Sequence, residues 1–192
     1  MSLDALSALA QIGTFIVIAA TAVAALVQLN HMRSANQVTA INMFAQAYEG
    51  PEMRDAFDFV RTRLKTKLED PEFRQQLRES RIDRATHPEM IVANFFDQWG
   101  GYYRQGVIDR AMFMRYNAGI VTGFWSYLEP AIAILASRTG TNTSFEQFEY
   151  LTVQARAWKA EHPEGDYPKG VDRIPLVDPW RDIDKPRDQP RA

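Results

Sequence analysis

Cysteine is absent from this 192-residue chain, which excludes disulfides, thiolate zinc sites and thiol nucleophiles together. Histidine is scarce. His31, His87 and His162 are the only imidazoles; they lie far apart without ligand spacing, so no metal is expected. Charge of one sign is also lacking: the formal net charge of -2 gives no field for steering nucleic acid, and none is expected as a partner. There is no glycine-rich phosphate loop, no nucleophile elbow and no His-Glu-x-x-His pattern. No cofactor and no catalytic residue are therefore expected, and the chain reads as a non-enzyme. Alternating β-branched runs are missing too, which leaves an all-α fold.

What is present is concentrated. The mean hydropathy is negative, yet 46% of the residues are apolar, and many of them gather near the N-terminus. No ionisable side chain falls between Asp4 and His31. As a helix that stretch reaches about 39 Å, enough to cross a hydrocarbon core of about 30 Å, with every amide satisfied internally. Ala22-Val23-Ala24 imitates a signal-cleavage site, but Asp4 is the only charged side chain before the run, and the run is long for a signal peptide. Residues 1–33 are expected to be one transmembrane anchor. Arg33 at its end points to an inner-membrane protein with the following domain in the cytoplasm. Ala20 and Ala24 have the small-xxx-small spacing that allows two such helices to approach, so a homo-oligomer is possible.

Residues 34–162 read as a helical bundle of about five helices. The first continues the anchor and presents Met43, Phe44, Ala47 and Tyr48. Pro51 starts a second, with Met53, Phe57, Val60, Leu64 and Leu68 in one stripe, and Asp70-Pro71 caps a short third that buries Phe73 and Leu77. Thr86-His87-Pro88-Glu89 has capping-box spacing ahead of Val92, Phe95, Phe96, Trp99 and Tyr103. Asp109 caps a stripe of Phe113, Tyr116, Ile120, Phe124 and Leu128 that Pro130 kinks or ends. After a polar loop through Asn142, Ser144-Phe145-Glu146-Gln147 is a second capping box. It opens the last helix, with Phe148, Leu151, Ala155 and Trp158 inward. Residues 163–192 hold six of the ten prolines and are expected to be a disordered or loosely docked tail.

Four groups of residues are candidates for function. Asp97, Tyr103, Arg104 and Glu129 bring carboxylates, a guanidinium and a phenol to the most apolar region, the makings of a ligand pocket. Ordinary salt bridges, with capping by Asp109, are the plainer account of such residues. Phe95-Phe96 and Phe124-Trp125 put adjacent aromatics on one helix, where both cannot point inward equally; Phe96, Tyr102 and Trp125, with Trp180 of the tail, are the expected partner surface. Arg61, Arg63, Lys65 and Lys67 form a band suited to anionic headgroups, although Asp55, Asp58, Glu69 and Asp70 flank it. Ala20 and Ala24 are the self-association positions.

Ala10-Gln11-Ile12-Gly13, Gln28-Leu29 with Arg33, Asn94-Phe95-Phe96-Asp97, Gly106-Val107-Ile108-Asp109, and Trp125 with Pro130 together resemble an uncharacterised family of bacterial single-span membrane proteins, classed only as a domain of unknown function. The resemblance covers roughly the first 160 residues. It implies an anchor plus a helical domain and carries no catalytic residue across. The expected function is a membrane-anchored, non-enzymatic interaction module, an adaptor or accessory subunit with a protein partner. The alternative is a small-ligand sensor or enzyme using the Asp97 pocket.

Overall fold

The computed structural model describes residues 3–79, 81–141 and 143–184. Asn142 of the expected polar loop, residues 1–2 of the expected anchor and residues 185–192 of the expected tail lie outside the described residues. Among those described there are eight helices and no strand, as the absence of alternating patterns requires. The chain divides into two units, Met1–Glu161 and His162–Ala192.

The first unit begins with a single helix, α1 (Leu3–Glu49). Every side chain from Gln11 to Met32 is exposed, and the helix is long and apolar enough to cross a membrane. Its last turns carry a different pattern. Phe44 is buried and Gln37, Ala40 and Tyr48 are half-buried, a stripe at steps of three and four. Met43 and Ala47, expected on that face, are exposed, because they lie about 100° and 60° to the side of Phe44.

Gly50 ends α1 and Pro51 takes the first position of α2 (Pro51–Thr62), where its missing N–H costs nothing. The expected stripe is buried at Met53, Phe57, Val60 and Leu64, but Arg63 breaks the helix, and α3 (Leu64–Lys67) follows. Asp70 accepts from the Glu72 amide at 2.9 Å and opens α4 (Pro71–Gln76), with Phe73 and Leu77 buried.

The centre is α5 (Glu89–Gln105). Phe95 faces Phe44 at 5.2 Å and Phe57 at 6.5 Å, while Phe96 faces Phe148 at 5.0 Å and Phe124 at 5.4 Å. Adjacent aromatics are both buried because helices cover α5 on several sides, which corrects the expectation that Phe96 is exposed. Trp125 is buried as well, its ring set edge-on to Phe148 at 5.0 Å. Burial of each such aromatic ring contributes about 1.5–3 kcal/mol. Gly106, at φ 71°, closes α5 in the left-handed conformation that glycine accepts freely.

Asp109 caps α6 (Arg110–Thr139) through the Met112 amide at 2.7 Å. Pro130 neither ends nor divides this helix. Pro130 and Ser126, whose carbonyl the missing N–H would have met, are both exposed, so water can take that place. Ala131, Ile132 and Leu135 carry the buried stripe beyond it. Tyr116, expected inward, is 67% exposed.

The start of α7 (Glu146–Glu161) is also a correction. Ser144 does not cap it. Instead Asp97 of α5 accepts from the Gln147 and Phe148 amides at 3.0 and 3.1 Å, so a neighbouring helix satisfies the orphan donors. Phe145, at φ 60°, makes the turn in a conformation unfavourable for a bulky residue. The approach is close: a Cβ on Gly100 would sit 2.2 Å from the Gln147 carbonyl oxygen.

In the second unit Tyr167 Oη donates to the Asp172 carbonyl at 3.1 Å, and the Arg173 guanidinium lies 4.7 Å from the Tyr167 ring centre. The segment thus has local order of its own up to a short helix, α8 (Arg181–Asp184). Ile174, Leu176, Val177 and Trp180 are exposed.

Gly100→Ala is expected to lower stability by about 1–3 kcal/mol, since the carbonyl it meets is backbone and cannot step aside. Gly101→Ala, with nothing within 4 Å of its added carbon, is expected to raise stability by up to about 1 kcal/mol. Denaturant melts of the two variants check this, and equal effects would refute the close α5–α7 contact.

Candidate functional site

An apolar groove of about 230 Å³ lies between the last turns of α1 and the start of α6. Its geometry follows from side-chain size. Phe44 projects into the bundle, with ring centres 4.9 Å from Trp99 and 5.5 Å from Phe113, and Tyr48 stacks on it one turn later at 5.8 Å. Ala40, one turn earlier, is too small to fill the remaining space. Ile41, Met112, Tyr116 and Ile120 form the sides, and the first three of these are exposed. The lining includes Glu49 and Asp109 but no lysine or arginine. Asp109 already serves as the cap of α6.

A second opening of about 410 Å³ is polar and lies elsewhere, with Asp97, Asn94, Arg84, Arg138 and Ser144 on its walls.

The expected ligand pocket does not assemble. Asp97 lines the polar opening, while Tyr103 lines a separate cleft with Arg110. Arg104 is exposed, donates to Gln147 Oε1 at 3.4 Å and lies over the Tyr150 ring at 5.9 Å. Glu129 is exposed and lines none of these cavities. The phenol of Tyr103 is pushed above its ordinary value by burial and by Tyr150, against the lowering effect of Arg110.

Of the expected partner surface, Phe96 and Trp125 are core residues, Tyr102 is half-buried and accepts from Gln98 at 2.8 Å, and Trp180 is exposed. Arg61, Arg63, Lys65 and Lys67 are all exposed. The Arg61 guanidinium lies 4.9 Å from the Phe124 ring centre, and Arg63 is 3.8 Å from Asp58 and 5.1 Å from the Phe59 ring. Two of the four thus lay their stems over apolar surface. Ala20 and Ala24 are exposed on α1.

The groove, the polar opening and the helical core all fall within residues 15–155, which match the family model described as Domain of unknown function (DUF4760). The chain belongs to the DUF4760 family. The match spans nearly three-quarters of the sequence. No curated protein matches the chain, and no solved structure does. The DUF4760 region contains all of α2 to α6 and stops within α7, so the second unit lies beyond it.

His87 and Glu89 form a buried pair in this chain. Glu89 was placed as the far half of a capping box with Thr86, but α5 has no side-chain cap there; Thr86 donates to Asp83 instead. Glu89 and His87 are both buried, with Nδ1 2.7 Å from Oε1, and His87 Nε2 faces Gln76 Oε1 at 3.2 Å. Gln76 Oε1 only accepts, so it offers a partner to an N–H at Nε2. Glu89 Oε2 is buried with no hydrogen-bond partner among the described residues. Burial raises the Glu89 carboxyl above 4.5, outweighing the lowering effect of the His87 hydrogen bond. The available signal was the period: 89, 92, 93 and 96 lie on one face, which is the buried one.

Because its folded value lies above its unfolded one, Glu89 takes up a proton on folding. Its contribution to stability is fully present below the unfolded value of 4.5 and is lost as pH rises through the folded value. Glu89→Gln keeps the hydrogen bond to His87 without that titration, so the wild type should lose ground to the variant as pH is raised. Paired thermal melts across that range check this; a constant offset would contradict it.

Proposed function

We propose that this DUF4760 protein is a membrane-anchored, non-enzymatic interaction module. In this reading α1 crosses the inner membrane once, Arg33 keeps the bundle on the cytoplasmic side, and the groove beside Phe44 receives apolar side chains of a protein partner. The observation that carries it is the placement of an exposed apolar groove on the same unbroken helix as the exposed apolar stretch. From Met32 to Phe44 that helix rises about 18 Å, so it would hold a partner at a short, fixed distance from the bilayer.

Other features fit the same reading. The exposed band of Arg61, Arg63, Lys65 and Lys67 would face anionic headgroups. On an ideal helix Ala20 and Ala24 lie about 120° round from Phe44 and Tyr48. Pairing of two copies through those alanines would therefore leave the groove open. The sensor or enzyme alternative has less support, because Asp97 lines the polar opening and Glu129 does not.

Ile41→Glu and Tyr116→Ala alter exposed groove positions and should leave melting unchanged. Each is expected to weaken affinity capture of a stoichiometric partner from mild detergent by about tenfold, as for anchor residues of interfaces. Capture indifferent to both substitutions would refute the groove as the docking site.

A further inference from the structure

Independently of the groove, we infer that the polar opening at the other end of α5 is a binding site for the phosphate group of a small organic phosphate ester. Four separate stretches of chain build it: Arg84 from the segment before α5, Asn94 and Asp97 from α5, Arg138 from the last turn of α6, and Ser144 from the turn before α7. Two guanidiniums, an amide and a hydroxyl thus meet around one space of about 410 Å³.

The charge balance favours an anion. Asp97 is the one carboxylate on the walls, and its Oδ1 is occupied by the Gln147 and Phe148 amides. Among the described residues neither Arg84 nor Arg138 forms an ion pair. The Arg138 guanidinium donates to the Glu79 carbonyl, which holds it in place while leaving further N–H groups for a ligand, since a guanidinium carries five. Arginine forks match phosphate oxygens in pairs, and charge-assisted bonds of this kind are the strong ones.

The remaining walls define the rest of the ligand. Ile82, Met90, Leu135 and Phe145 give the space an apolar side, so it suits a phosphate carrying a compact organic body better than a bare ion. Phe145 is also the residue held at φ 60°. Strain of this kind is kept where the surrounding structure gains by it, and here the turn sets Phe145 and Ser144 into the same wall.

The test is thermal denaturation and calorimetric titration of the full chain in mild detergent, at constant ionic strength with chloride as reference. Inorganic phosphate should raise the melting temperature and phenyl phosphate should raise it further. Arg84→Ala removes a side chain with no ion pair to lose, so it should fold normally yet bind phenyl phosphate at least about tenfold more weakly. Arg138→Gln should do the same, and Lys159→Ala, an exposed cation outside these walls, should not. A parallel arm in lipid nanodiscs separates the two sources of phosphate. Arg84-dependent stabilisation by phosphatidylglycerol over phosphatidylcholine, without a response to the free esters, would assign the site to a lipid headgroup. No stabilisation in either arm, or stabilisation unchanged by Arg84→Ala, would overturn the inference. Partner capture through the groove should be unaffected by Arg84→Ala, so the two readings fail separately.

Discussion

The contact between Gly100 and the backbone at Gln147 governs the bundle. With no side chain at Gly100, α7 comes near enough to α5 for the Asp97 carboxylate to reach the Gln147 and Phe148 amides. The orphan donors of α7 are then satisfied by tertiary structure, and Phe148 is delivered onto Phe96 and Trp125. Helix start, packing and core thus depend on a single missing methyl group. The same arrangement fixes the turn at Phe145, and with it one wall of the polar opening.

A second constraint comes from the other side of α5. Phe95 and Trp99 leave room for Phe44, so the last turns of α1 become part of the core while Gln11 to Met32 stay exposed. One unbroken helix therefore carries both an exposed and a buried stretch. The groove arises where they meet, because Ala40 is too small to complete the contact that Phe44 begins. This exposed apolar groove is the basis of the functional proposal.

Much of this was legible in the amino-acid sequence. The all-α class, the helix starts at Pro51, Asp70 and Asp109, and the buried stripe of α5 follow from local rules, since caps and 3.6-residue periods act within a few residues. The failures share a physical cause in contacts between residues far apart. Asp97 was read as a pocket carboxylate because nothing local reveals that it caps a helix some fifty residues later. Phe96 and Trp125 are expected outside on the rule of one buried face per helix, whereas α5 and α6 are each covered on several sides. Pro130 is expected to kink or end α6, yet the helix runs through it at a solvent-facing position. Glu89 was the legible miss: its place in the period with Val92, Ala93 and Phe96 marked it as buried, and the capping-box spacing concealed it.

Because the chain has no cysteine, single cysteines can report which side of the membrane each segment occupies. Ser7→Cys and Lys65→Cys, both at exposed positions, would be treated in intact cells with a maleimide that cannot cross membranes. The account predicts labelling at position 7 and protection at position 65 until the membrane is opened. Labelling at position 65 in intact cells would contradict the proposed anchor and the side on which the groove works.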